Sequence, residues 1–89
     1  MPKQDAEQLD YVAELMDSVI EDTSVQRNIR KALDDAKQKI LGQEKMDVAV
    51  TSAIYILDDI SNDINMPSHA RTEIWQIISE LESIREHSK

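Results

Sequence analysis

The sequence predicts an all-α domain of four helices, arranged as two similar helix-turn-helix hairpins. Three observations carry that expectation. Apolar residues recur at spacings of three and four along most of the chain, the period of one helix face. Turn punctuation is sparse: 89 residues hold one Gly and two Pro, too few to turn the strands of a sheet protein. The pattern also repeats. Displacing the chain by 41 residues brings Asp17 onto Asp58, Asp22 onto Asp63 and Arg30 onto Arg71.

The first helix is predicted from Asp5 to Glu21. Leu9, Val12, Ala13, Met16, Val19 and Ile20 make one face, while Asp10, Glu14, Asp17 and Glu21 take the other. Asp5 suits the cap and the positive end of the dipole, and residues 1–4 are expected to fray. Glu21-Asp22-Thr23-Ser24 is the first turn, because Asp, Thr and Ser compete for backbone donors. The second helix is predicted from Val25 to Leu41, with Val25, Ile29, Ala32, Leu33, Ala36 and Ile40 inward. Gly42 follows, where a left-handed C-cap favours a residue without Cβ.

The third helix runs from about Met46 to Asp59 or Ser61 and contains the most apolar stretch. Nine of the thirteen residues from Val48 to Ile60 are apolar or Tyr, and none is charged before Asp58. That composition predicts a central strut covered nearly all round. Asn62-Asp63-Ile64-Asn65 forms the second turn. Pro67 fits the first position of the fourth helix, where its missing N–H is no loss. That helix extends to about Glu86 on a stripe of Ala70, Ile74, Ile77, Ile78, Leu81 and Ile84, leaving 87–89 as a tail.

The chain is read as one domain, 1–89, with pseudo-repeats at about 5–42 and 46–86. Apolar matches run through both units: Val12 with Ala53, Met16 with Leu57, Leu33 with Ile74, Ala36 with Ile77. The period and the Asp-then-Arg order resemble a HEAT repeat, although the gap from Asp to Arg is longer here. Solenoids generally need three or more repeats, so the expectation is a four-helix bundle. Residues that recur in a repeat serve the fold first. Asp22 and Asp63 are therefore expected to cap the turns, and Arg30 and Arg71 to pair with a nearby carboxylate.

Net charge is −8. A nucleic-acid binder normally carries a basic patch or stripe. Only Arg27, Arg30 and Lys31 cluster, with Asp34 and Asp35 among them. An anionic membrane surface is disfavoured for the same reason. No apolar run approaches the roughly 20 residues that span a bilayer, and the first residues do not resemble an export leader. The absence of Cys removes disulfides, thiolate metal sites and Cys nucleophiles. A cytoplasmic location is expected.

Chemistry finds few candidates. Asp59, Ser61, Asp63 and Asn65 alternate like the first ligands of a calcium loop. Its sixth position is Ile64 instead of Gly, and its twelfth is Ala70 instead of Glu, so no metal is expected. Ser68-His69 has no strand-to-helix elbow to aim a nucleophile, and His87 is in the tail. The pairs Asp34-Asp35 and Asp58-Asp59 lack the Glu-x-x-His partners of a di-metal bundle. One Gly cannot build a phosphate-cradling loop. The reading is not an enzyme, with no catalytic, cofactor-binding or metal residues.

Trp75 is the most informative side chain. It flanks the apolar stripe of the fourth helix, and its repeat equivalent is Asp34, whereas a core role predicts an apolar counterpart. Trp anchors interfaces through large buried area. Met66 and Tyr55 would extend the patch. The expected function is a non-enzymatic module that binds a protein partner or itself, as a homo-oligomer, around these three residues. The alternative is a nucleic-acid accessory factor using Arg27, Arg30 and Lys31.

Two segments add a resemblance. Ile20-Glu-Asp-Thr-Ser-Val-Gln-Arg-Asn-Ile-Arg-Lys-Ala and Ile60-Ser-Asn-Asp-Ile-Asn-Met-Pro-Ser-His-Ala-Arg-Thr-Glu-Ile-Trp resemble the archaeal uncharacterised protein family 0147. The resemblance covers residues 9–84. Gln26 stands where many members are expected to have Pro, and Ile64 also departs from the usual pattern. It implies a small all-helical protein of archaeal type and no activity.

Overall fold

Helices α1 (Lys3–Ile20), α2 (Arg27–Leu41), α3 (Met46–Ile60) and α4 (Ser68–His87) follow one another through short connections at 21–26, 42–45 and 61–67. The computed structural model describes residues 3–42 and 44–87. The side chains of Asp5 and His87 lie outside the described ones, and with them the cap expected of Asp5. α1 takes in Asp5 instead of starting there.

Each helix packs against two others, in the ring α1–α2–α3–α4–α1. No close main-chain approach crosses either diagonal among the described residues. Short connections make sequential helices antiparallel neighbours, so the ring is an up-down four-helix bundle, 37 × 20 × 20 Å. The ring also corrects the expectation for α3. With neighbours only in α2 and α4, it keeps an outer face, on which Val48 and Tyr55 are exposed.

The inner faces supply one continuous core. Val12, Met16, Ile29, Leu33, Val50, Leu57, Ile74, Ile77, Leu81 and Ile84 are all buried in it. Repeat-related positions trade volume: Ile29 corresponds to Ala70, and Ala36 to Ile77, all four buried. Two similar hairpins thereby fill one core with unequal pieces, as close packing demands.

The turns repeat in detail. Asp22 N–H donates to the Val19 carbonyl and Val25 N–H to the Asp22 carbonyl, both at 3.1 Å. Asp63 N–H donates to Ile60 at 3.0 Å, and Met66 N–H to Asp63 at 3.2 Å. Arg30 and Arg71 N–H then bond the carbonyls of Gln26 and Pro67, each at 3.0 Å. Gln26 and Pro67 are thus the residues that precede each helix and accept its first bond, so α2 starts at Arg27 instead of Val25, and α4 at Ser68 instead of Pro67. Val25 and Met66 sit in the turns and plug the end of the core, both buried.

Gly42 departs from expectation. Its φ of −77° and ψ of −171° are extended, not left-handed. Its N–H closes a tight turn on the Lys39 carbonyl at 3.3 Å.

Candidate functional site

Both Asp turns lie at one end of the bundle, where His69 joins them. Its Nε2 is 2.7 Å from Asp22 Oδ2. A carboxylate only accepts, so Nε2 carries the proton. Asp22 Oδ1 accepts from the Ser24 N–H at 2.9 Å and the Ser24 hydroxyl at 2.6 Å. The Ser24 hydroxyl, then the His69 bond, then the Ser24 N–H hold the Asp22 carboxyl down from 3.8 to about 2.

Ser, His and Asp are the residue types of a hydrolytic triad, but the geometry is not that of one. A triad uses one imidazole nitrogen for the acid and the other for the nucleophile. Here Nε2 faces both, with Ser24 Oγ at 3.4 Å, and the hydroxyl points its proton at Asp22. The Ser68-His69 pair is not brought together either: Ser68 offers its carbonyl to Thr72, while His69 turns to Asp22.

Asp63 repeats the turn, accepting from Asn65 N–H at 2.8 Å. The arginines differ. Arg71 Nη2 donates to the Asp63 carbonyl at 2.8 Å, clamping turn to helix. Among the described residues Arg30 has no side-chain hydrogen bond or ion pair, and neither arginine meets a carboxylate. The expected Arg–carboxylate pairs are therefore replaced by one Arg–carbonyl bond, because the turn carbonyl is the nearer acceptor.

The expected aromatic patch divides. Trp75 is 58% exposed and Tyr55 70%, on adjacent helices α4 and α3. Met66 is 5% exposed and belongs to the core, because the turn folds it inward in the place Val25 has in the other hairpin. Ile64, at the tip of the second turn, is 89% exposed, and Tyr11, Leu41 and Val48 are exposed as well; the sequence reading placed none of these four on the surface. The repeat equivalents of Tyr55, Ile64 and Trp75 are Glu14, Thr23 and Asp34, all exposed and polar.

Arg27, Arg30 and Lys31 do come together. With Ile20 and Asp34 they line an open depression of about 550 Å³ beside the start of α2. At the opposite end, Leu9, Ile40, Met46, Ala49 and Val50 border a cleft of about 200 Å³ whose lining is mostly apolar.

Ser61 Oγ bonds the Asp58 carbonyl at 2.8 Å and Asp63 is spent on its own turn, so the calcium-like series does not converge. No group of three His, Asp or Glu placed to hold a metal ion occurs among the described residues. No helix among them is long and apolar enough to cross a membrane.

A profile of the uncharacterised protein family UPF0147 matches residues 1–84. The chain belongs to UPF0147. A UPF0147 protein of Methanocaldococcus jannaschii is 53% identical over 76 residues, covering 83% of this chain and 81% of that one. Another, from Saccharolobus islandicus, is 41% identical over 88 residues, covering 97% and 98%. Crystal structures share the UPF0147 fold. One, from Thermoplasma acidophilum, has a TM-score of 0.86 and 34% identity over 90% of this chain and 95% of that one. Another, the protein of unknown function MMP1188, has a TM-score of 0.85 and 46% identity over 88% and 90%. Four helices, with no strand among the described residues, are thus the form this UPF0147 chain shares with its relatives. Their names carry no activity.

The cross-turn contact of Asp22, Ser24 and His69 escaped the sequence reading. His69 lies 45 positions from Ser24 and 47 from Asp22. The available signal was the duplicated turn: two antiparallel hairpins put both Asp turns at one end, within reach of the first residues of α4.

Proposed function

We propose that this protein is a non-enzymatic protein-interaction or self-associating module that uses the outer face of α3 and α4 around Trp75 and Tyr55. One observation carries the reading. The two hairpins share a fold, yet one exposes Tyr, Ile and Trp where the other exposes Glu, Thr and Asp. Polar residues at the same places in the other hairpin support reading the apolar ones as surplus to the fold. Large aromatic side chains left mostly in water gain buried area on contact.

Sedimentation velocity over a range of concentrations, together with capture from archaeal lysate, tests the reading. The expected result is concentration-dependent association, or a retained protein, with the wild type and neither with a folded Trp75→Asp variant. A wild type that stays monomeric and retains nothing would remove it.

A second reading, a nucleic-acid accessory factor, is favoured only by the shared depression of Arg27, Arg30 and Lys31. The net charge of −8 works against an extended polyanion. Filter binding at low salt checks it, and no retention of RNA or DNA at micromolar protein would dismiss it.

A further inference from the structure

We propose that the depression beside the start of α2 binds a compact oxyanion of the phosphate class, independently of the aromatic face. Arg27, Arg30 and Lys31 line it together with Ile20 and one carboxylate, Asp34, so cations outnumber anions three to one there. Arg27 and Arg30 are without a side-chain hydrogen bond or ion pair among the described residues, in a chain with 18 carboxylates to 10 Lys and Arg. Lys31 has only a 3.6 Å contact with Asp35 one turn on, and its side chain is 73% exposed. Such a pair is weak and easily exchanged.

The position of these charges is unfavourable for the helix itself. They occupy the first two turns of α2, at the positive end of its dipole, where acidic groups stabilise and cations do not. No acidic residue stands in the first turn, and Gln26 makes no side-chain cap. An oxyanion seated there would offset the clustered cations. Two guanidinium forks match its oxygens in geometry as well as charge.

The second hairpin supplies the comparison within the molecule. Its residues at the same places are Ser68 for Arg27 and Thr72 for Lys31. Arg71 stands for Arg30, but its guanidinium is committed to the Asp63 carbonyl at 2.8 Å. The same turn and the same helix start therefore form without free cations. Asp34 in the lining and Asp35 on Lys31 limit the site to a small anion, since an extended polyanion would meet these carboxylates.

The test is an amide NMR titration of the full chain at low ionic strength, where surface charge is least screened. The probes are inorganic phosphate and pyrophosphate, with sodium chloride at matched ionic strength. The expected result is saturating shifts confined to the depression and α2's first two turns. In Arg27→Gln and Lys31→Gln the apparent Kd rises about tenfold, the loss of one charge-assisted hydrogen bond, while the rest of the spectrum stays unchanged. Arg30→Lys, which keeps the charge without the fork, also weakens binding. Shifts that stay linear and match chloride would overturn the site, as would variants that titrate like the wild type. A short single-stranded oligonucleotide that binds where both phosphates fail would overturn it in favour of a polynucleotide surface.

Discussion

Hairpin 1 (α1 and α2) and hairpin 2 (α3 and α4) close on the same two main-chain turn bonds and the same Asp side-chain turn. On their inner faces, position after position is apolar in both. On their outer faces they part. Hairpin 1 carries Glu14, Asp34 and the cations of α2's start, and hairpin 2 carries Tyr55, Trp75, Ser68 and Thr72. The agreement marks what the fold requires. The disagreement marks what the fold leaves free, and function is best sought there.

The strongest way to break this comparison is in the core. Leu33 and Ile74 are repeat equivalents, both fully buried. Leu33→Ala and Ile74→Ala should each cost about 2–5 kcal/mol by urea unfolding. Costs that differ by more than that range would mean that the hairpins do not share the load.

The arginines sharpen it next. Arg71 is bonded to its turn and Arg30 is not. Arg71→Ala should lose about 1.5–3 kcal/mol, and Arg30→Ala less than half as much. Equal losses in thermal unfolding would argue that both residues act through their alkyl stems alone.

Acid comes third. Asp22 titrates at about 2 in the folded chain against an ordinary 3.8. Its contribution is therefore complete above about pH 4 and disappears as pH falls through about 2. The melting temperature of the wild type should exceed that of Asp22→Asn near neutral pH, and the gap should narrow in that acid window. A gap independent of pH would place the effect outside the carboxylate.

The smallest effect is at Gly42. With a negative φ it gains little from being Gly, while an added Cβ would sit 3.2 Å from the Gln38 carbonyl. These effects oppose each other, so Gly42→Ala should shift stability by no more than about 0.5 kcal/mol. A loss well above 1 kcal/mol would restore the left-handed cap that the sequence suggested.

The fold was legible because helical period and repetition are local signals. The spacing of Ile29, Leu33, Ala36 and Ile40 is visible without knowing what they touch. Helix starts were less so: Val25 and Pro67 look like first helical residues, yet Val25 plugs the core from the turn and the Pro67 carbonyl accepts the first bond of α4. Met66 looked like a surface residue because side-chain direction in a turn depends on backbone angles that composition does not encode. Exposure of Trp75 was inferable from its mate Asp34. The meeting of His69 with Asp22 needed the ring of helices, which no local pattern specifies.

The most direct test of the central claim, that the outer aromatics are surplus to the fold and serve contact, is the double variant Tyr55→Gln with Trp75→Gln, which leaves net charge unchanged. Urea unfolding and sedimentation velocity should be measured on the same samples. The account predicts stability within about 0.5 kcal/mol of the wild type, as for exposed positions, with association lost. A loss of about 2 kcal/mol or more, with association unchanged, would contradict it and return both rings to the core.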